Sequence, residues 1–195
     1  MSFLLKIASL WLPDFIMKKE LDKIALSTIN GLDKLLEEYA PSKVGEIPDE
    51  KLEGSLEERR ASMAMAHNKR VKALISAIGH EKTIKIGREA MFRVGCNLGC
   101  EARQRLKVGN DLGDLELAAK ILYRILGIKF KIKNMVMVVN TCSLSKYYSP
   151  EACMVLSAAD EGVVHGLNKN LDMQFKHRIT IGSPECIACI YRVKR

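Results

Sequence analysis

Cys142, Cys153, Asp160 and Cys186 have residue types and spacing that can do chemistry. Thiolates with a carboxylate suit Zn²⁺ or another borderline-soft divalent metal. The same groups suit a cysteine nucleophile working with an acid partner. Inert burial is the plain structural alternative, because free cysteine is among the most buried residue types. His177 lies in the final hairpin, within reach of the turn before Cys186. It is the histidine best placed to serve as a fourth ligand or a general base. The expected catalytic set is therefore Cys142, Cys153, Asp160 and Cys186. The expected metal set is Cys142, Cys153, Cys186 and His177, holding a divalent ion such as Zn²⁺.

The other candidates are weaker. Cys186-x-x-Cys189 falls on a strand, where residues three apart point to opposite faces, so a joint role is not expected. Cys96 and Cys100 are four apart on a helix and share a face, where they read as core beside Val94 and Leu98. His67 and His80 sit in polar helical contexts and are expected to be solvated. His165 shares a helix with Asp160 at a different angle. The chain has no phosphate-cradling loop, no His-Glu-x-x-His and no Gly-x-Ser-x-Gly.

Four elements must bring the site together. Cys142 closes a strand predicted over Met135–Thr141. Ser149 caps and Pro150 opens a helix that runs to about Asn168. Cys153 and Asp160 are seven apart on that helix, two turns, and so share a face. Strands are predicted over Phe175–Ile181 and Ile187–Val193, joined at Gly182-Ser183-Pro184-Glu185. Another strand, Ile128–Ile132, alternates apolar residues with lysine. Strand ends converging on one helix face are a natural place for a pocket.

The first half reads as helical. Leu21–Leu36 carries apolar residues at helical spacing, with Gly31 as a point of bending, and Pro41 with the Ser42–Asp49 stretch ends it. Ser55 and Glu58 have capping-box form, and Gly79 is placed to end that helix. A helix follows over Thr83–Leu106. Its Gly87, Gly95 and Gly99 fall close to one face, which can admit a neighbouring backbone or a ligand. Asp114–Leu126 is a short amphipathic helix closed by Gly127. The expected architecture is α+β, a helical N-terminal half packed on a small antiparallel sheet formed by the C-terminal half. Residues 1–50 form a helical extension and 51–195 the α+β domain.

Composition sets outer limits. The chain has 195 residues, 48% hydrophobic and 28% charged, as in an ordinary globular protein. Lys and Arg exceed Asp and Glu by 31 − 23 = +8. The basic residues are scattered and few aromatics lie among them, so no nucleic-acid partner is expected. No apolar run is long enough to span a bilayer, so no membrane partner is expected. Phe3–Ile16 contains Lys6, Pro13 and Asp14 and lacks the marks of a leader. It is expected as a core helix or a partner-binding helix serving a homodimer. A cytoplasmic, reducing setting follows for the six cysteines.

The C-terminal pattern resembles a known family. Thr141-Cys142, Cys153 with Asp160 seven later, and Ile181-Gly182-Ser183-Pro184-Glu185-Cys186 before an apolar strand are similar to the L-2-amino-thiazoline-4-carboxylic acid hydrolase family. The Ala66–Gly95 helices look similar to its upstream region. The resemblance implies that Cys142, Cys153, Asp160 and Cys186 are the characteristic positions. It also implies a hydrolase that opens a small cyclic amidine of thiazoline type to N-carbamoyl-cysteine. The 4-vinyl reductase domain looks related through its Gly-x-x-x-Cys hairpin and cysteine-bearing helix. That likeness implies a non-catalytic sensor for a small-molecule ligand, or a structural zinc. Arg178 stands where that zinc site would want a cysteine, and Phe175 where it would want a glutamate.

Overall fold

The computed structural model describes residues 3–48 and 51–193, with only the backbone of Phe3 and Leu4. Asp49, where the expected connecting stretch ends, and Glu50, at the expected domain boundary, lie outside the described residues. Helix α1 (Phe3–Leu10) stops before Pro13, and α2 (Asp14–Tyr39) starts directly after it. Phe3–Ile16 is therefore two helices, because proline cannot donate within a helix. Leu5 is fully buried, whereas Leu10, Trp11 and Phe15 are exposed. Helix α2 runs through Gly31 unbroken and buries Leu21, Ala25, Thr28, Leu32, Leu35 and Leu36.

A single turn, α3 (Pro41–Val44), follows. Helix α4 (Leu56–Ile78) opens on the expected capping box, with Glu58 N–H donating to Ser55 Oγ at 3.3 Å and Ser55 N–H to Glu58 Oε2 at 2.7 Å. Helices α5 (His80–Leu106) and α6 (Leu112–Leu126) complete the helical half. Gly127 ends α6 at φ 69°, a left-handed position that glycine adopts without strain. Arg60 of α4 donates to the last carbonyls of α6, at 2.7 and 2.9 Å to Ile125 O and 3.1 Å to Arg124 O.

The remaining elements are β1 (Ile128–Lys133), β2 (Val136–Cys142), α7 (Pro150–Leu167), β3 (Leu171–His177) and β4 (Cys186–Arg192). The sheet is antiparallel in the order β1-β2-β4-β3. The α+β arrangement is as the sequence predicts. Two expectations are corrected. Met135 belongs to the turn, because Asn134 and Met135 both have positive φ (50° and 62°) and form the two-residue link of a β1–β2 hairpin. The third strand begins four residues earlier than predicted. Its inward residues are Leu171 and Met173, with Gln174 outward. The chain then leaves the sheet after His177 and makes a 3-10 turn at Ile179–Ile181. Among the described residues no helix is long and apolar enough to cross a membrane.

The helical half and the sheet meet through α7. Its glycines face those of α5 at backbone distance. A Cβ on Gly95 would lie 2.0 Å from the Ala159 carbonyl oxygen, and one on Gly162 would lie 2.1 Å from that of Phe92. Gly99 and Gly166 meet the partner backbone in the same way. Of the expected glycine face, Gly95 and Gly99 receive a neighbouring backbone, and Gly87 meets the Val155 side chain. Gly95→Ala should lower stability by about 2 kcal/mol or more, since the clash outweighs the helical gain of roughly 0.5–1 kcal/mol. Gly45→Ala, with nothing within 4 Å of its added Cβ, should change stability by less than about 0.5 kcal/mol. Urea midpoints of the two variants check both outcomes.

Candidate functional site

Between α7 and the sheet lies a partly open cavity of about 140 Å³, bordered on its other sides by α2, α4 and α6. Its walls are overwhelmingly apolar, from residues such as Leu115, Leu122, Met137, Leu156, Met173 and Ile190. Cys142, Cys153, Asp160 and Cys186 all line it. The helix face shared by Cys153 and Asp160, the end of β2 and the start of β4 converge as the spacing predicts. Cys189 is not in the lining, in keeping with its place on the other face of β4. Cys96 and Cys100 lie elsewhere on α5, half-buried.

Local bonds fix these side chains. Ser149 caps α7 by accepting from Ala152 N–H at 3.2 Å. Its own N–H donates to Asn68 Oδ1 at 3.0 Å, and Asn68 Nδ2 donates to Tyr147 O at 2.7 Å. Helix α4 therefore sets where α7 begins, and with it Cys153. Cys186 Sγ accepts from Ile179 N–H at 3.4 Å, which ties β4 to the 3-10 turn.

The thiols are held neutral. Burial pushes the Cys142 thiol up to about 12, against the pull of the Ser145 and Leu144 amides. Burial also raises Cys153 and Cys186, partly offset by Thr180 and Arg178 at Cys153, and by the Ile179 amide and Arg178 at Cys186. A neutral thiol is a poor nucleophile and a poor metal ligand. Asp160 is pushed up to about 7, first by burial and then by the charge of Glu161; Tyr123 and Arg178 pull the other way. The surface it keeps belongs to the cavity wall, which is why desolvation dominates despite partial exposure.

Three polar features of the cavity escaped the sequence reading. The first is Arg178, buried at 9% exposure, with Nε and Nη2 donating to Ser157 Oγ at 3.1 and 3.0 Å. Its guanidinium lies 5.4 Å from the centre of the Phe175 ring. Glu161 does not neutralise it. That carboxylate accepts from Arg88 Nη2 at 2.6 Å and from Phe175 N–H at 3.1 Å. The second is Thr180, whose Oγ1 approaches Cys153 but not in hydrogen-bond geometry, and is buried without a partner.

The third is a relay through His67, which is 1% exposed and corrects the expectation of a solvated ring. Thr28 Oγ1 donates to a carbonyl of its own helix, Ile24 O at 2.9 Å or Ala25 O at 3.0 Å. Its proton is thus committed, so His67 Nε2 donates to Thr28 Oγ1 at 2.9 Å. Nδ1 then accepts from Tyr148 Oη at 2.8 Å. Met63, His67, Val71 and Leu74 are all buried on one face of α4. That apolar periodicity was the available signal for a buried ring. His80 is exposed as expected, and His165 Nδ1 pairs with Asp172 Oδ1 at 2.7 Å.

His177 is exposed on β3 and does not line the cavity. Leu171, Met173 and Phe175 form the inward series of β3, and the register irregularity between Phe175 and His177 turns His177 out of it. Among the described residues, no three His, Cys, Asp or Glu side chains are grouped to hold a metal ion. The buried Arg178 charge beside Cys153 and Cys186 further opposes a divalent cation there. The set Cys142, Cys153, Cys186 and His177 therefore does not form a ligand sphere in this structure. Comparison with protein-family models, curated proteins and solved structures gives no match to this chain.

Burial holds His67 down to about 3 from 6.5. A neutral buried imidazole contributes full stability above the unfolded value of 6.5 and loses it as pH falls from there toward about 3. The expected loss is about 1.4 kcal/mol per pH unit within that window. Urea unfolding of native protein and His67→Gln between pH 4 and 7.5 should show the variant with the shallower acid slope. Equal slopes would overturn the assignment.

Proposed function

We propose that the cavity is a binding site for one small molecule about the size of a single ring. The observation that carries this is an apolar-walled cavity of about 140 Å³ into which polar groups from several elements converge. A cavity of about 150 Å³ takes benzene and stays dry when empty of it. A few placed polar groups on apolar walls are the usual make-up of a ligand pocket. The neutral thiols favour binding over cysteine chemistry and fit the sensor-type reading.

Asp160 favours a second reading, hydrolysis of the bound ring. A carboxyl held near 7 in an apolar-walled cavity is matched to general-base work. In that reaction Asp160 takes a proton from water and the water oxygen bonds to the amidine carbon of a thiazoline. The C=N π pair moves onto the ring nitrogen, which takes the proton of the added hydroxyl as the carbonyl forms; the ring C–S bond breaks, and the sulfur leaves with the proton that Asp160 returns. The cysteines pack against the ring and remain thiols.

Incubation with 2-amino-thiazoline-4-carboxylate, read by calorimetry and by release of free thiol, separates the two. Binding without thiol release supports the sensor. With turnover, the rate should rise as pH passes through about 7. Asp160→Asn should then cost about 100-fold or more, while Cys153→Ser should stay within a few-fold. A Cys153→Ser variant as dead as Asp160→Asn would overturn the role given to Asp160.

A further inference from the structure

We propose that Arg178 and Thr180 form a seat for the carboxylate of that single-ring ligand. The inference rests on the cavity being a ligand site, and names what the ligand must carry. Arg178 lines the cavity and is buried, yet among the described residues no carboxylate lies within ion-pair distance of it. The nearby Glu161 is committed to Arg88 and to the Phe175 amide. Two guanidinium N–H groups reach only a neutral hydroxyl, Ser157 Oγ, and Glu161 acts on the charge only from beyond ion-pair distance.

A buried charge without a counter-charge is costly, and an anion supplied by the ligand removes that cost. Burial shows in the guanidinium itself, whose pKa is lowered. Ser157 on one side and the Phe175 ring on another hold the guanidinium in place, as a planar bidentate donor for a carboxylate requires. Thr180 Oγ1 is a buried hydroxyl on the same wall with no partner. A second carboxylate oxygen satisfies it. Asp160 does not fill this role. It shares the cavity, but its carboxyl makes no ion pair with the guanidinium, and burial favours its neutral form.

Two probes of one shape test the seat. Toluene reports on the cavity, and benzoate on the cavity plus an anion. Calorimetric titration of the full chain should give benzoate the lower Kd, by about tenfold or more, from one or two charge-assisted hydrogen bonds. Arg178→Met should remove about tenfold or more of benzoate affinity and leave toluene binding within twofold. Should Arg178→Met fail to fold, Thr180→Val decides, since the hydroxyl it removes makes no hydrogen bond in the native protein. It should weaken benzoate several-fold and spare toluene. Toluene binding with benzoate equal or weaker, or benzoate unaffected by both substitutions, sinks the seat and leaves the cavity standing. Failure of both probes to bind sinks the seat and the ligand site together.

Discussion

Helices α5 and α7 touch backbone to backbone, and the cavity depends on that contact. Gly95 and Gly99 on one side, and Gly162 and Gly166 on the other, remove the side chains that would hold the helices apart. With α7 pressed onto α5, its opposite face turns to the sheet, and the residues on that face are Cys153, Ser157, Asp160 and Val164. Any larger residue at the contact would push α7 toward β3 and close the space. Close packing normally fills such gaps, so a void of about 140 Å³ between well-packed elements is a specific feature of this arrangement.

The charges around α7 are sorted by the same geometry. Asp160 and Glu161 are adjacent in sequence but point into different surroundings. Glu161 turns toward Arg88 and the Phe175 amide, where an ion pair and a backbone donor stabilise its charge. Asp160 turns into the cavity, where desolvation favours the neutral acid. Arg178 enters from the other side and finds a hydroxyl instead of a carboxylate. One wall thus carries a carboxyl matched to proton transfer and a cation matched to an anion, within an otherwise oily enclosure.

Much of this was legible in local patterns. The capping box at Ser55, the Ser149-Pro150 start and the Gly127 stop each place a helix end through contacts within a few residues. The seven-residue step from Cys153 to Asp160 puts both on one helical face by period alone. The strand shift at Leu171–His177 was not legible, because apolar–polar alternation continues on both sides of it. That shift moves His177 out to solvent and lets Arg178 turn inward. Its consequences for the site are therefore larger than its four residues.

From sequence alone came the order of the main elements, several helix ends and the meeting of Cys142, Cys153, Asp160 and Cys186 near one helix face. These depend on periodicity and short-range hydrogen bonds, which neighbouring residues dictate. Tertiary structure alone decided that the thiols are neutral, that His67 is buried and relays from Tyr148 to Thr28, and that Arg178 lacks a carboxylate. Each of these turns on desolvation and on partners tens of residues away. Such terms are set by which surfaces pack together, so no window of sequence contains them.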